Sequence, residues 1–293
     1  MASFKAVSYK GWQAYQCTAG QISAIMAPAI GGRILSLTFN NHELLYTQAK
    51  HHGEVFDFKH QDLNEEKRRL GFRVWGGDKT WVAPQEKWRL GIPPLELDAG
   101  QYTHQGFDNG IIMISPVCRE TGLQIERRIQ LFPDNRITLK EVLTNKSSKV
   151  VYAGIWNVTQ IIRPCTIIIP AQANTIRSYH YHDKTLPPVK DLPVEDGQVR
   201  INCDAPAVFK YGGMPLKGEC AIEISFNDKR IMWQRLFNVD HQASYAHHSA
   251  VEVFNSHEEN YAEAEIHSPA LHLQPGQSID LEQTWLFTLL GAI

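Results

Sequence analysis

The sequence predicts an all-β protein, a large antiparallel β-sandwich, and three observations support this fold class. Apolar and polar residues alternate through residues 110–143, as they do in half-buried strands. Short extended segments recur along the chain, separated by turn sequences rich in Gly, Pro, Asn and Asp. No βαβ alternation and no Walker, dinucleotide-binding or Gly-x-Ser-x-Gly motif is found. Nucleotide hydrolysis, nicotinamide chemistry and serine hydrolysis are therefore not expected.

Length and composition are those of a globular protein. The 293 residues suffice for one large core, and we expect residues 1–293 to form a single domain. A formal net charge of −2, with basic residues dispersed among acidic ones, disfavours nucleic acid as a partner. The five cysteines include no Cys-x-x-Cys pair, which favours reduced thiols. Without an apolar leader or a membrane-length apolar stretch, we expect a cytoplasmic protein.

The first part of the chain is predicted to contain strands joined by glycine and asparagine turns. Alternation on both sides of Gly31 and Gly32 predicts two strands within residues 22–39, and the turn at residues 40–41 predicts a hairpin with residues 42–46. Arg33 then has two interpretations, a ligand-binding residue or part of a bulge shaped by the glycines. The charged residues 48–70 should run over the surface, with a short helix at residues 64–68.

Residues 75–88 concentrate tryptophan, glycine and polar side chains. The glycines at residues 76–77 and the proline at residue 84 disfavour a helix, so a loop or short strands are predicted. Indole rings can pack on the apolar faces of sugar rings while polar groups bind hydroxyls, but the same indoles can also fill a core. The residues concerned are Trp75, Trp81 and Trp88 for stacking, with Asp78, Lys79 and Gln85 for hydrogen bonding.

Two further stretches bear on a ligand site. Residues 150–169 read as two β-branched runs broken by a proline at residue 164, and Asn157 and Gln160 interrupt the first run. Polar groups inside an apolar strand need partners, and a ligand can supply them. Residues 178–218 look loop-like; His180 and His182 would share one strand face there, but no third metal ligand stands at a readable spacing.

The strongest chemical signal lies at residues 261–269. In an extended segment Tyr261, Glu263 and Glu265 share one face, while the small apolar residues between them share the other. Two enclosed carboxylates would raise each other's pKa, which suits a general base. The alternative is that both glutamates face water on an edge strand.

A set of segments spans nearly the whole chain in a fixed order. They are Gly-Gly-Arg-Ile-Leu-Ser-Leu at residues 31–37, Gly-Gly-Asp-Lys-Thr-Trp-Val-Ala-Pro-Gln at 76–85, Val-Glu-Val-Phe at 251–254, Ala-Glu-Ala-Glu-Ile-His-Ser-Pro at 262–269, Leu-Gln-Pro-Gly at 273–276, and Trp285. Together they resemble the aldose 1-epimerase-like family of the galactose mutarotase superfamily. The resemblance implies a supersandwich, one large antiparallel β-sandwich with a sugar-sized groove on the concave face of one sheet.

The resemblance also implies a chemistry. Mutarotases open and reclose a pyranose ring: a glutamate takes the anomeric hydroxyl proton and a histidine donates to the ring oxygen. Glu265, or alternatively Glu263, would be the base. Residues 155–158, Ile-Trp-Asn-Val, stand where the histidine is expected, and neither indole nor amide titrates near neutrality. The candidates for a substitute acid are Lys79, Asp78, His180 and His247.

We therefore expect a carbohydrate-binding aldose 1-epimerase (mutarotase)-like protein that interconverts sugar anomers. The expected catalytic residues are Glu265 as base, with Lys79 and Asp78. The alternative is a non-catalytic carbohydrate-binding or sugar-sensing protein on the same fold. A small-molecule carbohydrate is the expected partner, and no motif implies a cofactor or a metal ion. The expected substrate-binding residues are Arg33, Arg73, Trp75, Trp81, Gln85, Asn157, Gln160 and Glu263.

Overall fold

The computed structural model describes residues 3–59, 61–178, 192–205, 207–226 and 229–291. Its strands are, in chain order, β1 (Ser3–Tyr9), β2 (Trp12–Ala19), β3 (Ile22–Ala27), β4 (Arg33–Phe39), β5 (His42–Glu43), β6 (Asp78–Ala83), β7 (Thr103–Phe107), β8 (Gly110–Ile114), β9 (Leu123–Phe132), β10 (Arg136–Asn145), β11 (Val151–Ile162), β12 (Cys165–Pro170), β13 (Ile176–Ser178), β14 (Gln198–Cys203), β15 (Phe209–Gly213), β16 (Glu219–Phe226), β17 (Lys229–Phe237), β18 (Val251–Asn255), β19 (Tyr261–His267), β20 (Leu271–Leu273) and β21 (Ser278–Leu290).

Helices are few and short. They are α1 (Leu63–Leu70), α2 (Leu95–Asp98) and the 3₁₀ turns Ala49–His51, Gln85–Lys87, Arg89–Gly91 and Ala246–His248. Among the described residues, no helix has the length and apolar character that crossing a membrane would require. The predicted all-β fold class is therefore confirmed.

The strands form two antiparallel sheets. In the described ranges the first sheet has 12 strands, ordered β1-β2-β3-β4-β6-β11-β19-β18-β15-β13, with β5 beside β4 and β20 beside β11. The second has 9 strands, ordered β14-β12-β16-β17-β21-β10-β9-β8-β7. Apolar side chains from both sheets form the main core between them, including Ile34, Ile155 and Ile266 of the first sheet and Ile129 and Trp233 of the second. This is the predicted antiparallel sandwich.

Several predicted elements agree with the structure. Residues 22–39 form β3 and β4, residues 150–169 form β11 and β12, and α1 lies in the charged stretch at residues 48–70. The loop-like interpretation of residues 178–218 is wrong in part, because β14 and β15 lie there. The strand at residues 261–267 is not at an edge, since β19 pairs with both β11 and β18. His180 and His182 lie outside the described residues.

Strand β6 occupies the centre of the first sheet although a glycine pair directly precedes it. Gly76 and Gly77 lie just before the strand and have positive φ angles of 95° and 77°. A Cβ atom on Gly77 would lie 2.2 Å from the carbonyl oxygen of Ile34. The glycines therefore let the chain pass close to β4 in a left-handed conformation and then enter β6 as a regular strand.

A polar network lies between the two sheets. Arg127 of β9 forms an ion pair with Asp78 of β6, and its Nε lies 3.5 Å from Oε1 of Glu141 on β10. Asn157 donates hydrogen bonds to Asp78 Oδ2 at 3.0 Å and to Glu141 Oε1 at 3.1 Å, and Thr159 donates to Asp78 Oδ2 at 2.6 Å. All five side chains are fully buried. Charges this deep are tolerated only when they are paired and hydrogen-bonded, so the network fixes how the sheets align.

We predict that Arg127→Met lowers the free energy of unfolding by about 3–5 kcal/mol, because Asp78 would remain as a buried charge without its paired cation. Urea unfolding at neutral pH measures this change. The control is Arg136→Met on the neighbouring strand, whose guanidinium pairs with the exposed Asp134; its effect should stay within about 0.5 kcal/mol. A loss below about 1 kcal/mol for Arg127→Met would contradict the assigned role.

Candidate functional site

The centre of the first sheet carries polar residues on the face turned away from the second sheet. Lys79 of β6 lies opposite Val158 of β11, which lies opposite Glu265 of β19, and Glu265 lies opposite Glu252 of β18. Directly opposed residues in antiparallel strands point to the same face. In the predicted alternation of residues 261–267, Ala262, Ala264 and Ile266 indeed belong to the core, and the glutamates lie on the opposite face.

A cavity of about 120 Å³ opens on this face. On the same volume scale a cavity that holds a single water measures roughly 10–15 Å³. The cavity therefore has room for a ligand of several heavy atoms, about one sugar ring. Its charged and polar lining residues are Arg73, Lys79, Gln160, Lys210 and Glu263. Its aromatic lining residues are Phe72, Trp81, Trp156, Phe254 and Tyr261.

Lys79 and Glu263 form a buried pair in the cavity wall. Lys79 Nζ lies 3.6 Å from Glu263 Oε1 and 4.2 Å from the ring centroid of Trp81. Burial lowers the pKa of Lys79 and raises the pKa of Glu263, and in each case the opposite charge of the partner offsets part of the shift. The pKa values of the two groups are therefore closer together than in water, which suits a proton donor and a proton acceptor that work as a pair.

Two polar atoms of the cavity have no hydrogen-bond partner among the described residues. They are Lys79 Nζ, a donor, and Gln160 Oε1, an acceptor. The amide nitrogen of Gln160 donates to Glu263 Oε1 at 2.8 Å, which turns the free oxygen away from Glu263. Both residues are nearly fully buried, so the free donor and acceptor favour a ligand with hydroxyl groups, which can bond to each.

Glu265 lies behind the cavity wall. Its carboxylate accepts hydrogen bonds from Lys210 Nζ at 2.7 Å and from Trp156 Nε1 at 2.6 Å, and it is fully buried. Burial by itself would raise the pKa of Glu265, but the charge and hydrogen bonds of Lys210 and the Trp156 indole lower it below its usual value. Glu265 is therefore an ionised carboxylate engaged by two cavity-lining side chains.

A cluster of Glu252, His247 and His267 continues from Glu265. Glu252 Oε2 lies 2.9 Å from Lys210 Nζ, and Glu252 Oε1 lies 3.3 Å from His247 Nδ1. Burial and the neighbouring Glu265 raise the pKa of Glu252 well above its usual value. The ring of His267 stacks on Trp156 with centroids 5.3 Å apart, so Trp156 separates this cluster from the cavity.

Two of the predicted site residues lie on the other face of the sheet. Asp78 and Asn157 point between the sheets, where they bond to each other and to Arg127. Because side chains alternate along a strand, Asp78 and Lys79 cannot both face the cavity. The expected catalytic role of Asp78 and binding role of Asn157 therefore do not match their positions.

Three more predicted residues do not line the cavity. Arg33 is fully buried and pairs with Asp98, whose Oδ1 also accepts a hydrogen bond from Trp81 Nε1 at 2.7 Å. Arg33 thus has a structural role that holds a cavity wall in place. Trp75 packs in a separate apolar cluster with Trp12 and other residues, and Gln85 lies in a 3₁₀ turn. The predicted residues that do line the cavity are Arg73, Lys79, Trp81, Gln160 and Glu263.

Sequence reasoning missed Lys210, Glu252 and the role of Trp156. Lys210 lies between two aromatic residues in β15, within a stretch interpreted as a loop. Glu252 interrupts an apolar run in β18, and its two neighbours, Val251 and Val253, are buried. A charged residue at a buried position of an apolar strand is the signal that could have identified both.

Comparisons with known proteins agree with the architecture. A family model described as a domain of unknown function (DUF4380) matches residues 13–288. No curated protein matches the sequence significantly.

Solved structures give the fold. A galactose mutarotase-like protein from Clostridium acetobutylicum superposes with a TM-score of 0.64 at 13% identity, over 99% of each chain. A galactose mutarotase-like protein from Lactobacillus casei superposes with a TM-score of 0.62 at 11% identity, over 94% of this chain and 100% of that one. A galactose mutarotase related enzyme from Lactobacillus acidophilus superposes with a TM-score of 0.61 at 12% identity, over 94% of this chain and 97% of that one. The chain has a galactose mutarotase-like fold, and it belongs to the DUF4380 family.

Proposed function

We propose that this protein binds an aldose in the cavity and interconverts its anomers, with Glu263 as general base and Lys79 as general acid. The observation that carries the proposal is the buried Lys79–Glu263 pair in the cavity wall, 3.6 Å apart and with pKa values displaced toward each other. The fold neighbours include a galactose mutarotase related enzyme, which supports the same reaction class. Their identities to this chain are too low to carry residue roles.

The reaction suits two adjacent proton-carrying groups. In a pyranose the anomeric hydroxyl and the ring oxygen are bonded to the same carbon, so their proton acceptor and donor must lie close together. Glu263 removes the hydroxyl proton while Lys79 protonates the ring oxygen, and the bond between the ring oxygen and C1 breaks to give the open-chain aldehyde. Rotation about C1–C2 and the reverse steps form the other anomer and restore both side chains.

Other cavity residues would hold the sugar. Gln160 Oε1 accepts from a sugar hydroxyl, and Arg73 lies at the cavity with its guanidinium also paired to Glu54. The rings of Trp81 and Trp156 form an apolar wall, edge to face with centroids 5.1 Å apart, against which the C–H groups of a sugar can pack. This combination of an apolar wall and few polar groups is typical of small-molecule sites.

Glu263 is a better base than Glu265 on geometric grounds. Glu263 lines the cavity, whereas Glu265 is fully buried behind Lys210 and Trp156. A general base must come within hydrogen-bond reach of the proton it removes, and only the first of the two glutamates meets that condition here. We propose that Glu265 instead orients Lys210 and Trp156.

A non-catalytic sugar-binding protein is the second candidate. It is favoured by Trp156, an indole that stands where the resemblance to mutarotases leads us to expect the acid histidine. Saturation-transfer NMR with a panel of aldoses and their phosphates separates the two functions, since it reports binding and anomeric exchange together. Exchange faster than in buffer supports the epimerase, and binding without exchange supports the sugar-binding protein.

We predict that Glu263→Gln and Lys79→Met each lower the anomeric exchange rate by at least about 100-fold, the usual contribution of general acid–base catalysis. The measurement is the exchange rate between α and β anomers by NMR. Glu282→Gln, at an exposed position on β21, is the matched control and should leave the rate unchanged. If Glu263→Gln kept the wild-type rate while Glu265→Gln lost it, the base would be Glu265.

The exchange rate should have a bell-shaped pH dependence. It rises as Glu263 ionises, at a pH above the usual range for glutamate, because burial raises the pKa of Glu263. It falls as Lys79 loses its proton, at a pH below the usual range for lysine, because burial lowers the pKa of Lys79. Residual activity in Lys79→Met should lack the alkaline fall. An unchanged alkaline limb in that variant would exclude Lys79 as the acid.

Trp81→Leu should weaken aldose binding about five- to tenfold, as expected for losing one aromatic stacking surface. Affinity is measured by NMR titration. Trp75→Leu is the control, because Trp75 is equally large and buried but lies in a different apolar cluster. It should lower stability without changing affinity. Equal affinities for wild type and Trp81→Leu would show that the Trp81 ring does not contact the sugar.

A further inference from the structure

The cluster of His247, Glu252 and His267 has no role in the proposed sugar chemistry. Trp156 lies between it and the cavity, in ring contact with both imidazoles, at 5.0 Å from His247 and 5.3 Å from His267. The three residues come from a 3₁₀ turn and from two adjacent strands, β18 and β19. They approach each other because β18 and β19 pair directly and the turn at Ala246–His248 leads into β18.

The geometry of the three side chains is that of a metal-binding group. Their ligand atoms all lie within 4.8 Å of one another. Nδ1 of His247 is 3.3 Å from Oε1 of Glu252, and Nε2 of His267 is 3.2 Å from Oε2 of Glu252. In a tetrahedral site with metal–ligand bonds of about 2.0–2.2 Å, neighbouring ligand atoms are separated by about 3.3–3.6 Å. The two contacts of Glu252, one through each carboxylate oxygen, are close to this spacing, and the separation of the two histidine nitrogens lies within 4.8 Å.

His267 provides a second, independent observation. The residue is 1% exposed, and neither ring nitrogen has a hydrogen-bond partner among the described residues. Although Nε2 is 3.2 Å from Glu252, the contact lacks the direction of a hydrogen bond. A buried imidazole without hydrogen bonds is destabilising, and a metal ion at Nε2 would satisfy it.

We propose that His247, Glu252 and His267 bind one divalent first-row transition metal ion, of which Zn²⁺ is the natural probe. Two imidazoles and one carboxylate are ligands that suit Zn²⁺ and its neighbours, and they leave one coordination position for water or another ligand. The charges are compatible with a cation: Glu252 and Glu265 face the single ammonium of Lys210, and Glu252 would lose any proton it carries when it binds the ion.

Metal binding requires one local change at His247. Its Nε2 now accepts a hydrogen bond from the backbone N–H of Gln85 at 3.2 Å, so the metal-binding Nδ1 carries the proton. With a metal ion on Nδ1 the proton moves to Nε2, which then no longer accepts from the Gln85 N–H. The carboxylate of Glu86 is 3.9 Å from Nε2 and largely exposed, so it can turn to accept a hydrogen bond from the Nε2–H group. A carboxylate that accepts from the second nitrogen is the usual support for a metal-bound histidine.

The test uses the full-length protein, stripped of metal with a chelator and titrated with ZnCl₂ by calorimetry. We expect about one Zn²⁺ per chain. His247→Gln and His267→Gln should each weaken binding by at least about 100-fold, because losing even an outer hydrogen-bond partner of a ligand costs about 10- to 100-fold. The matched control is His248→Gln, since His248 is exposed in the same turn and is not in the cluster. It should bind as the wild type does.

A second readout does not depend on the variants folding. The wild-type protein titrated with CoCl₂ should develop the visible absorption of four-coordinate Co²⁺, and X-ray absorption of the Zn²⁺ complex should show two imidazole ligands. Absence of stoichiometric Zn²⁺ binding by the wild type would overturn the proposal. So would Zn²⁺ binding that His247→Gln retains, because the ion would then occupy surface histidines. None of these readouts requires sugar binding or turnover.

Discussion

The structure depends on strand β6 carrying opposite charges into two buried environments. Asp78 points between the sheets, and the next residue, Lys79, points into the cavity on the other face. Neither charge is stable there without partners, so each requires its own set of neighbours. Arg127 of the second sheet pairs with Asp78, whereas Glu263 of β19 pairs with Lys79. The position of β6 between β4 and β11 therefore determines both how the two sheets align and where the cavity wall lies.

Support for the cavity also comes from residues that never reach it. Arg33 pairs with Asp98, and Asp98 holds the indole of Trp81. Glu265 similarly holds Lys210 and Trp156. These second-layer contacts keep the wall side chains in single positions, which is the condition for a preorganised binding site. Some residues of the motifs that resemble mutarotases therefore hold the cavity wall in place, and others line the cavity.

Residue alternation was the most reliable guide in the sequence. It correctly separated Glu263 and Glu265 from the core residues between them, and it predicted the strands on both sides of Gly31 and Gly32. The same rule, applied to Asp78 and Lys79, would have placed them on opposite faces. What the sequence could not show is that Glu263 lines the cavity whereas Glu265 lies behind other side chains. That difference depends on Lys210 and Trp156, which come from separate strands and meet Glu265 only in the folded chain.

The tryptophan at position 156 connects two features that would otherwise be unrelated. Its indole N–H occupies a lone pair of Glu265, and Lys210 occupies both carboxylate oxygens. A carboxylate used in this way is a poor proton acceptor for a ligand, and the indole that engages it stands where the resemblance to mutarotases leads us to expect a histidine. Acid–base chemistry in this cavity would then have to come from the next pair of groups along the sheet, Glu263 and Lys79. In the proposed reaction the two glutamates of β19, two residues apart on one face, have separate roles: Glu265 orients Lys210 and Trp156, and Glu263 moves the proton.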